Sequence, residues 1–156
     1  MNSVKRRIVA LCTFVLLLSG WAKVAQAQNT ALSVSGSPAP FTITTAVAGS
    51  APAPITNGVT TYFVKAKNLA GPQKISAQLD APMPLGTTLT VQMVASPGAT
   101  SMGAVSLDAT ARDVVINIIR DNGSTYGITY VFSATVAAGV VPMQTRTVTF
   151  TESAYP

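Results

Sequence analysis

Histidine is absent from this 156-residue chain, and cysteine occurs once, as Cys12. Only 10% of the residues are charged and 6% are aromatic. Without His, a Ser-His-Asp triad cannot be built, and the most common acid/base group and metal ligand are missing. Without a second Cys there is no intramolecular disulfide and no thiolate metal cluster. No phosphate-cradling loop or dinucleotide fingerprint is present. Long apolar runs are also missing: the longest, Ile8 to Leu18, has 11 residues, against about 20 for a membrane span.

That run belongs to a targeting segment. Lys5, Arg6 and Arg7 precede it, Ser19-Gly20-Trp21 ends it, and Ala25 and Ala27 place small residues at −3 and −1 of a signal-peptidase site. Residues 1–27 therefore read as a leader for Sec export, with cleavage before Gln28. Arg6-Arg7 is the only element of a twin-arginine signal. Cys12 lacks the flanking residues of a lipoprotein site. The expected destination is the periplasm, the cell surface or the extracellular space.

Removing the leader changes the charge. Four of the ten basic residues lie in it, leaving 10 − 4 = 6 against five acidic ones, a net charge of +1. A field that weak does not steer nucleic acid or anionic lipid, so neither is expected as a partner. The remaining 156 − 27 = 129 residues suffice for one domain with its own core. It is divided as residues 28–58, an N-terminal arm with short strands and loops, and residues 59–156, the body.

Helix formers are scarce, whereas Thr and Val are abundant and period-2 alternation recurs. Tyr126 to Val136 places Tyr126, Ile128, Tyr130, Phe132, Ala134 and Val136 on one face. Arg146 to Glu152 turns Val148 and Phe150 inward and Thr147, Thr149 and Thr151 outward. Lys74 to Leu79 and Thr88 to Met93 alternate likewise, and the Pro- and Gly-containing stretch between them predicts a hairpin with a long loop. Val59 to Lys67 and Asp113 to Ile119 are further strands, the latter apolar on both faces as in a sheet centre. Shorter ones are expected at Ala31 to Val34, Phe41 to Thr45 and Ala104 to Leu107. Asp121-Asn122-Gly123 predicts a turn. Eight or nine short strands point to an all-β, antiparallel two-sheet β-sandwich of immunoglobulin-like or pilin-like type. Ser37-Pro-Ala-Pro40 and Ala51-Pro-Ala-Pro54 look like a repeated tetrapeptide, read as loops flanking Phe41 to Thr45 in preference to a flexible arm.

The acidic residues are Asp80, Asp108, Asp113, Asp121 and Glu152, and each has an ordinary role. Asp80 and Asp121 suit turns, Asp108 and Asp113 flank a loop beside Arg112, and Glu152 lies near the last strand's end. Asp121-Asn122-Gly123-Ser124 opens like a calcium loop, but the later acidic ligands are missing. No catalytic, cofactor or metal site is expected. Phe63, Lys65 and Lys67 share one strand face. They form either an aromatic and cationic stripe for a glycan or acidic partner, or, preferred, lysines that keep an exposed sheet edge from pairing.

Lys74-Ile-Ser-Ala-Gln-Leu79, Met83-Pro-Leu-Gly-Thr-Thr-Leu89 and Arg146-Thr-Val-Thr-Phe-Thr151 together resemble bacterial secreted sandwich proteins of the fimbrial-subunit or spore-coat-protein-U type, over roughly Val59 to Thr151. The resemblance implies a structural or adhesive envelope subunit, assembling with copies of itself or with other envelope proteins by strand addition. Thr30, Leu32, Val34 and Gly36 alternate as a donor strand would. Chaperone–usher subunits carry a penultimate aromatic. Tyr155 stands there in this chain, out of register with Val148 and Phe150. The class's common disulfide has no cysteines to form it. The alternative reading is a monomeric secreted module that binds a carbohydrate-type ligand.

Overall fold

In a computed structural model, residues 29–44 and 49–156 are described. The proposed leader, with Ala25, Ala27 and Gln28, lies outside the described residues, as does Thr45. Nine strands run in chain order: β1 (Asn29–Ser35), β2 (Ile55–Lys67), β3 (Gln73–Leu79), β4 (Thr87–Met93), β5 (Thr100–Ser101), β6 (Val105–Ser106), β7 (Arg112–Ile118), β8 (Asp121–Ala134) and β9 (Val148–Ala154). They form a five-stranded sheet ordered β1-β2-β8-β4-β6 and a four-stranded sheet ordered β5-β7-β3-β9. Every pairing is antiparallel. This is the two-sheet sandwich that the alternation predicts.

The alternation also picks the right faces. Tyr62, Val64 and Ala66 of β2 and Leu89, Val91 and Met93 of β4 are buried. So are Ile128 and Tyr130 of β8, and opposite them Ile75, Ala77 and Leu79 of β3 with Val114, Val115 and Ile118 of β7. Two adjacent valines, Val114 and Val115, are both fully buried because β7 is irregular: its register against β3 shifts on either side of Ile75. Asn117 holds φ +58° there, a left-handed conformation that Asn tolerates better than most residues. The sheet-centre reading of this strand holds, since β7 lies between β5 and β3.

Four local expectations are corrected. β3 and β4 are consecutive but do not pair; they belong to different sheets, so the loop from Asp80 to Gly86 crosses the sandwich edge and is no hairpin turn. Prolines and a glycine mark a loop without saying which sheet the next strand joins. Asp121-Asn122-Gly123 is the start of β8, and the chain changes sheets over Ile119 and Arg120 instead. Gly123, at φ +104°, is the extra residue of a bulge: Val64 faces Ser124, whereas Lys65 faces Asn122. The positive φ of Gly123 kinks a strand and does not reverse it.

Third, Phe41 to Thr44 is no strand. Phe41 and Ile43 are half-buried and Thr42 is exposed, so the alternation is real, but the segment has no ladder partner among the described residues. Fourth, Lys65 and Lys67 do not guard an edge. β2 is paired on both sides, with β1 and with β8, and the edge of the sheet on that side is β1.

Candidate functional site

The five acidic residues are spread over the sandwich. Asp113 pairs with Lys74 at 3.0 Å, and Asp108 pairs with Arg112, which holds its carboxyl below the usual carboxylate range. Asp80 accepts the Thr147 N–H at 3.1 Å, tying the β3–β4 loop to the start of β9. Asp121 is buried, accepting the Tyr126 hydroxyl at 2.6 Å and the Gly123 N–H at 2.8 Å. Its role is to brace the bulge. Burial and the Asp121 contact raise the Tyr126 phenol above its ordinary pKa. Among the described residues no three of His, Cys, Asp and Glu gather where a metal could be held.

Glu152 stands near the end of the last strand, as expected. It continues the alternation of Val148 and Phe150, so its side chain turns toward the interior of the sandwich, and its Oε1 is buried without a hydrogen-bond partner. Desolvation raises its pKa. A carboxyl whose folded pKa exceeds its unfolded one binds protons more tightly in the fold. Its contribution to stability is therefore fullest below the ordinary carboxylate range and is lost as the pH rises through the raised value. Glu152→Gln is expected to melt at the same temperature as the native protein near pH 3 and at a higher one at pH 7. A melting series over that pH range checks the sign.

An open groove of about 1630 Å³ lies between the two sheets' edges. Its floor is the inner face of the five-stranded sheet, through Thr60, Leu89, Tyr130 and Phe132. One wall is the chain from Gly36 to Ile43. Pro38 and Phe41 face inward there, the Phe41 ring lying 6.0 Å from that of Phe132. The other wall is Val148 and Phe150 of β9 together with the irregular stretch between β8 and β9. That stretch is anchored by Thr135 N–H to Gly86 O (2.8 Å) and by the Arg146 guanidinium to Pro82 O (3.1 Å). Between these anchors Val140 and Met143 are almost wholly exposed. Arg146 is the only charged residue in the lining.

Two walls of this groove carry unused backbone. β9 pairs with β3 along its whole length, Val148 with Leu79 through Ala154 with Gln73, and its outer side meets no strand among the described residues. The facing segment, Phe41 to Thr44, has no ladder partner among the described residues. Backbone N–H and C=O groups are obligatory hydrogen-bonding groups, so an apolar trough bordered by an edge strand and a segment without a ladder is a template for another strand.

Two hydroxyls lie on the floor. Thr60 is 1% exposed and its Oγ1 has no partner, a burial that costs about 1–3 kcal/mol when left unsatisfied. The Tyr130 phenol, pushed up to about 12 by desolvation, stands on the adjacent strand of the same face.

Of the residues singled out in the sequence, Leu32 and Val34 of β1 line the groove's rim. Thr30, Leu32 and Val34 pair opposite Ala66, Val64 and Tyr62 in the chain's own sheet, so they share the inward face. Gly36 holds φ +79° beside the Val59 carbonyl, which a Cβ would approach to 2.9 Å. Phe63, Lys65 and Lys67 lie together on the outer face of β2, away from the groove. Phe63 packs beside Gly123. The groove itself escaped the sequence reading. Its walls bring together segments far apart in the chain, Gly36 to Ile43 and the stretch through β9, a relation that periodicity does not carry.

No protein-family model matches this chain, and no curated protein matches it in sequence. Among solved structures the chain is similar to one in a chaperone–usher pilus determined for the molecular basis of rod uncoiling, with 16% identity and a TM-score of 0.41. The superposition covers 90% of this chain and 99% of that one. Among the described residues no helix is long and apolar enough to cross a membrane.

Proposed function

We propose that this protein is an exported structural or adhesive subunit of the cell envelope or surface that assembles by strand addition. The observation that carries the reading is the apolar groove flanked by the free edge of β9 and the unladdered Phe41–Thr44 segment. An extended segment laid there gains main-chain hydrogen bonds from β9 and buries alternate side chains against Leu89, Phe132 and Phe150.

The segment we assign as donor is the N-terminal strand, through Thr30, Leu32, Val34 and Gly36. β1 suits donation. It holds to one neighbour, β2, and six of its seven residues are exposed. A loop rich in Pro, Ala, Gly and Ser follows it, which leaves it reach. The work is mechanical and the chemistry is that of the backbone, so no catalytic group takes part.

Deleting Gln28 to Gly36 is expected to leave a monomer, less stable than the native protein, where the full mature chain forms higher oligomers. Light scattering on both proteins measures this. An unchanged oligomer size would sink the proposal.

A further inference from the structure

The basic residues of the sandwich divide by their partners. Lys74 and Arg112 are paired with Asp113 and Asp108, and Arg146 is held by the Pro82 and Thr145 carbonyls. Lys65, Lys67 and Arg120 have no acidic partner among the described residues. These three are not scattered. Lys65 faces Asn122 and Ala66 faces Asp121 across the β2–β8 ladder, and Lys67 and Arg120 are the next residues along those two strands. Edge protection does not account for the lysines, because β2 is an inner strand.

A shallow recess of about 440 Å³ adjoins them, lined by Pro97, Arg120, Asp121, Asn122, Ser124 and Tyr126. Arg120 is exposed and is the only cation in the lining; Asn122 and Ser124 are exposed as well. The Asp121 carboxylate is buried and already accepts the Tyr126 hydroxyl and the Gly123 N–H. Gly123 joins the recess to the lysine face. The Phe63 ring and the Lys65 stem lie over it, 3.0 and 4.0 Å from where a Cβ would stand.

We propose that this end of the five-stranded sheet binds an acidic polysaccharide, with uronate carboxylates on Arg120 and Lys65 and sugar hydroxyls on Asn122 and Ser124. A guanidinium fork takes a carboxylate in two parallel hydrogen bonds, and the lysines add point charges for its neighbours along the chain. The neutral side chains select the class, since a chain of sugars carries hydroxyls between its charges whereas a phosphodiester backbone does not. A flat anionic membrane meets the outermost charges and cannot enter the recess. A second copy of this chain is no match, because each of its acids is paired, hydrogen-bonded or turned inward within its own fold. The site lies on the outer face, so a strand seated in the groove leaves it open, and the inference stands apart from strand addition.

The test titrates an oligogalacturonate by calorimetry into the native protein, Lys65→Gln, Arg120→Gln and Lys74→Gln. The native protein and Lys74→Gln are expected to bind alike, more weakly as salt rises. Lys65→Gln and Arg120→Gln each bind about fivefold more weakly, the size of one good exposed ion pair. The fully methyl-esterified oligomer, which keeps the sugar and loses the charge, does not bind. Native affinity in both Lys65→Gln and Arg120→Gln overturns the proposal, as does equal binding of the ester. So does equal binding of phosphatidylglycerol vesicles or of an oligodeoxythymidine, or no binding of the oligogalacturonate at all. Melting temperature and oligomer size, read on the same samples, are expected to be unchanged in every variant, so failure here leaves strand addition standing.

Discussion

With Ala31 and Lys65 both replaced by cysteine, the oxidised protein is expected to remain monomeric and the reduced protein to assemble. The two residues are direct partners across the β1–β2 pair. Opposed residues of an antiparallel pair stand about 4.5–5.5 Å apart, within disulfide range. They lie on the face of β2 that carries Phe63 and Lys67, so the bridge does not intrude on the core. Nor does a native thiol compete, since the sole cysteine, Cys12, is in the proposed leader. A closed bridge pins β1 to its own sheet and withdraws it as a donor, whereas reductant frees it in the same sample. The contrast is therefore free of folding differences between variants. Equal oligomer sizes with and without reductant, by size-exclusion with light scattering, would show that β1 is not the strand exchanged.

Ile128→Ala is expected to destabilise the fold by about 3–4 kcal/mol. The side chain is completely buried on β8, which pairs with β2 through Thr60 and with β4 through Met93 at that point. Both neighbouring strands are held in register by their own ladders, so the site cannot collapse around the void, and the cost lies toward the upper part of the usual range. For a domain of this size the loss lowers the melting temperature by about 10–20 °C. Denaturant unfolding of the monomer measures it directly. A loss below about 1 kcal/mol would mean that the two sheets relax onto one another more readily than their packing suggests.

β1 and β8 are opposite extremes of one sheet. β8 lies in the middle of its sheet and carries Ile128 and Tyr130 in the core, whereas β1 has one neighbour and little buried surface. Local stability follows buried contacts. β1, the donor in the proposed assembly, is the strand the monomer spares most easily. Glu152 sits on the edge strand β9, the acceptor in the proposed assembly, where its buried, unpartnered oxygen adds a pH-dependent penalty.

Much of this was legible in the residues. The inward sets of β2, β3, β4, β8 and β9 follow directly from period-2 alternation, because a half-buried strand must put every second side chain in the core. Even Phe41 to Ile43, which is no strand, keeps the in–out pattern that its sequence shows. The pairing of Asp108 with Arg112 was legible from sequence neighbours as well, whereas Asp113 pairs with Lys74, 39 residues away. Where the prediction missed, the deciding contact was remote. Asp121 was read as a turn residue, yet it is buried under Tyr126 because a bulge opposite Val64 and Lys65 folds it there. Lys65 and Lys67 looked like edge guards, but whether a strand is an edge depends on which strand pairs beside it.

The chain alone thus determined an all-β sandwich with these faces turned inward and without the side chains for His- or Cys-based chemistry, since alternation and composition are local properties. Tertiary structure alone decided that β3 and β4 part into opposite sheets, that β9 keeps a free edge, and that a trough with Thr60 at its floor opens between β9 and the Gly36–Ile43 stretch. Those are relations between distant segments. Their energies come from pairing and burial across the fold, and no window along the sequence contains both partners.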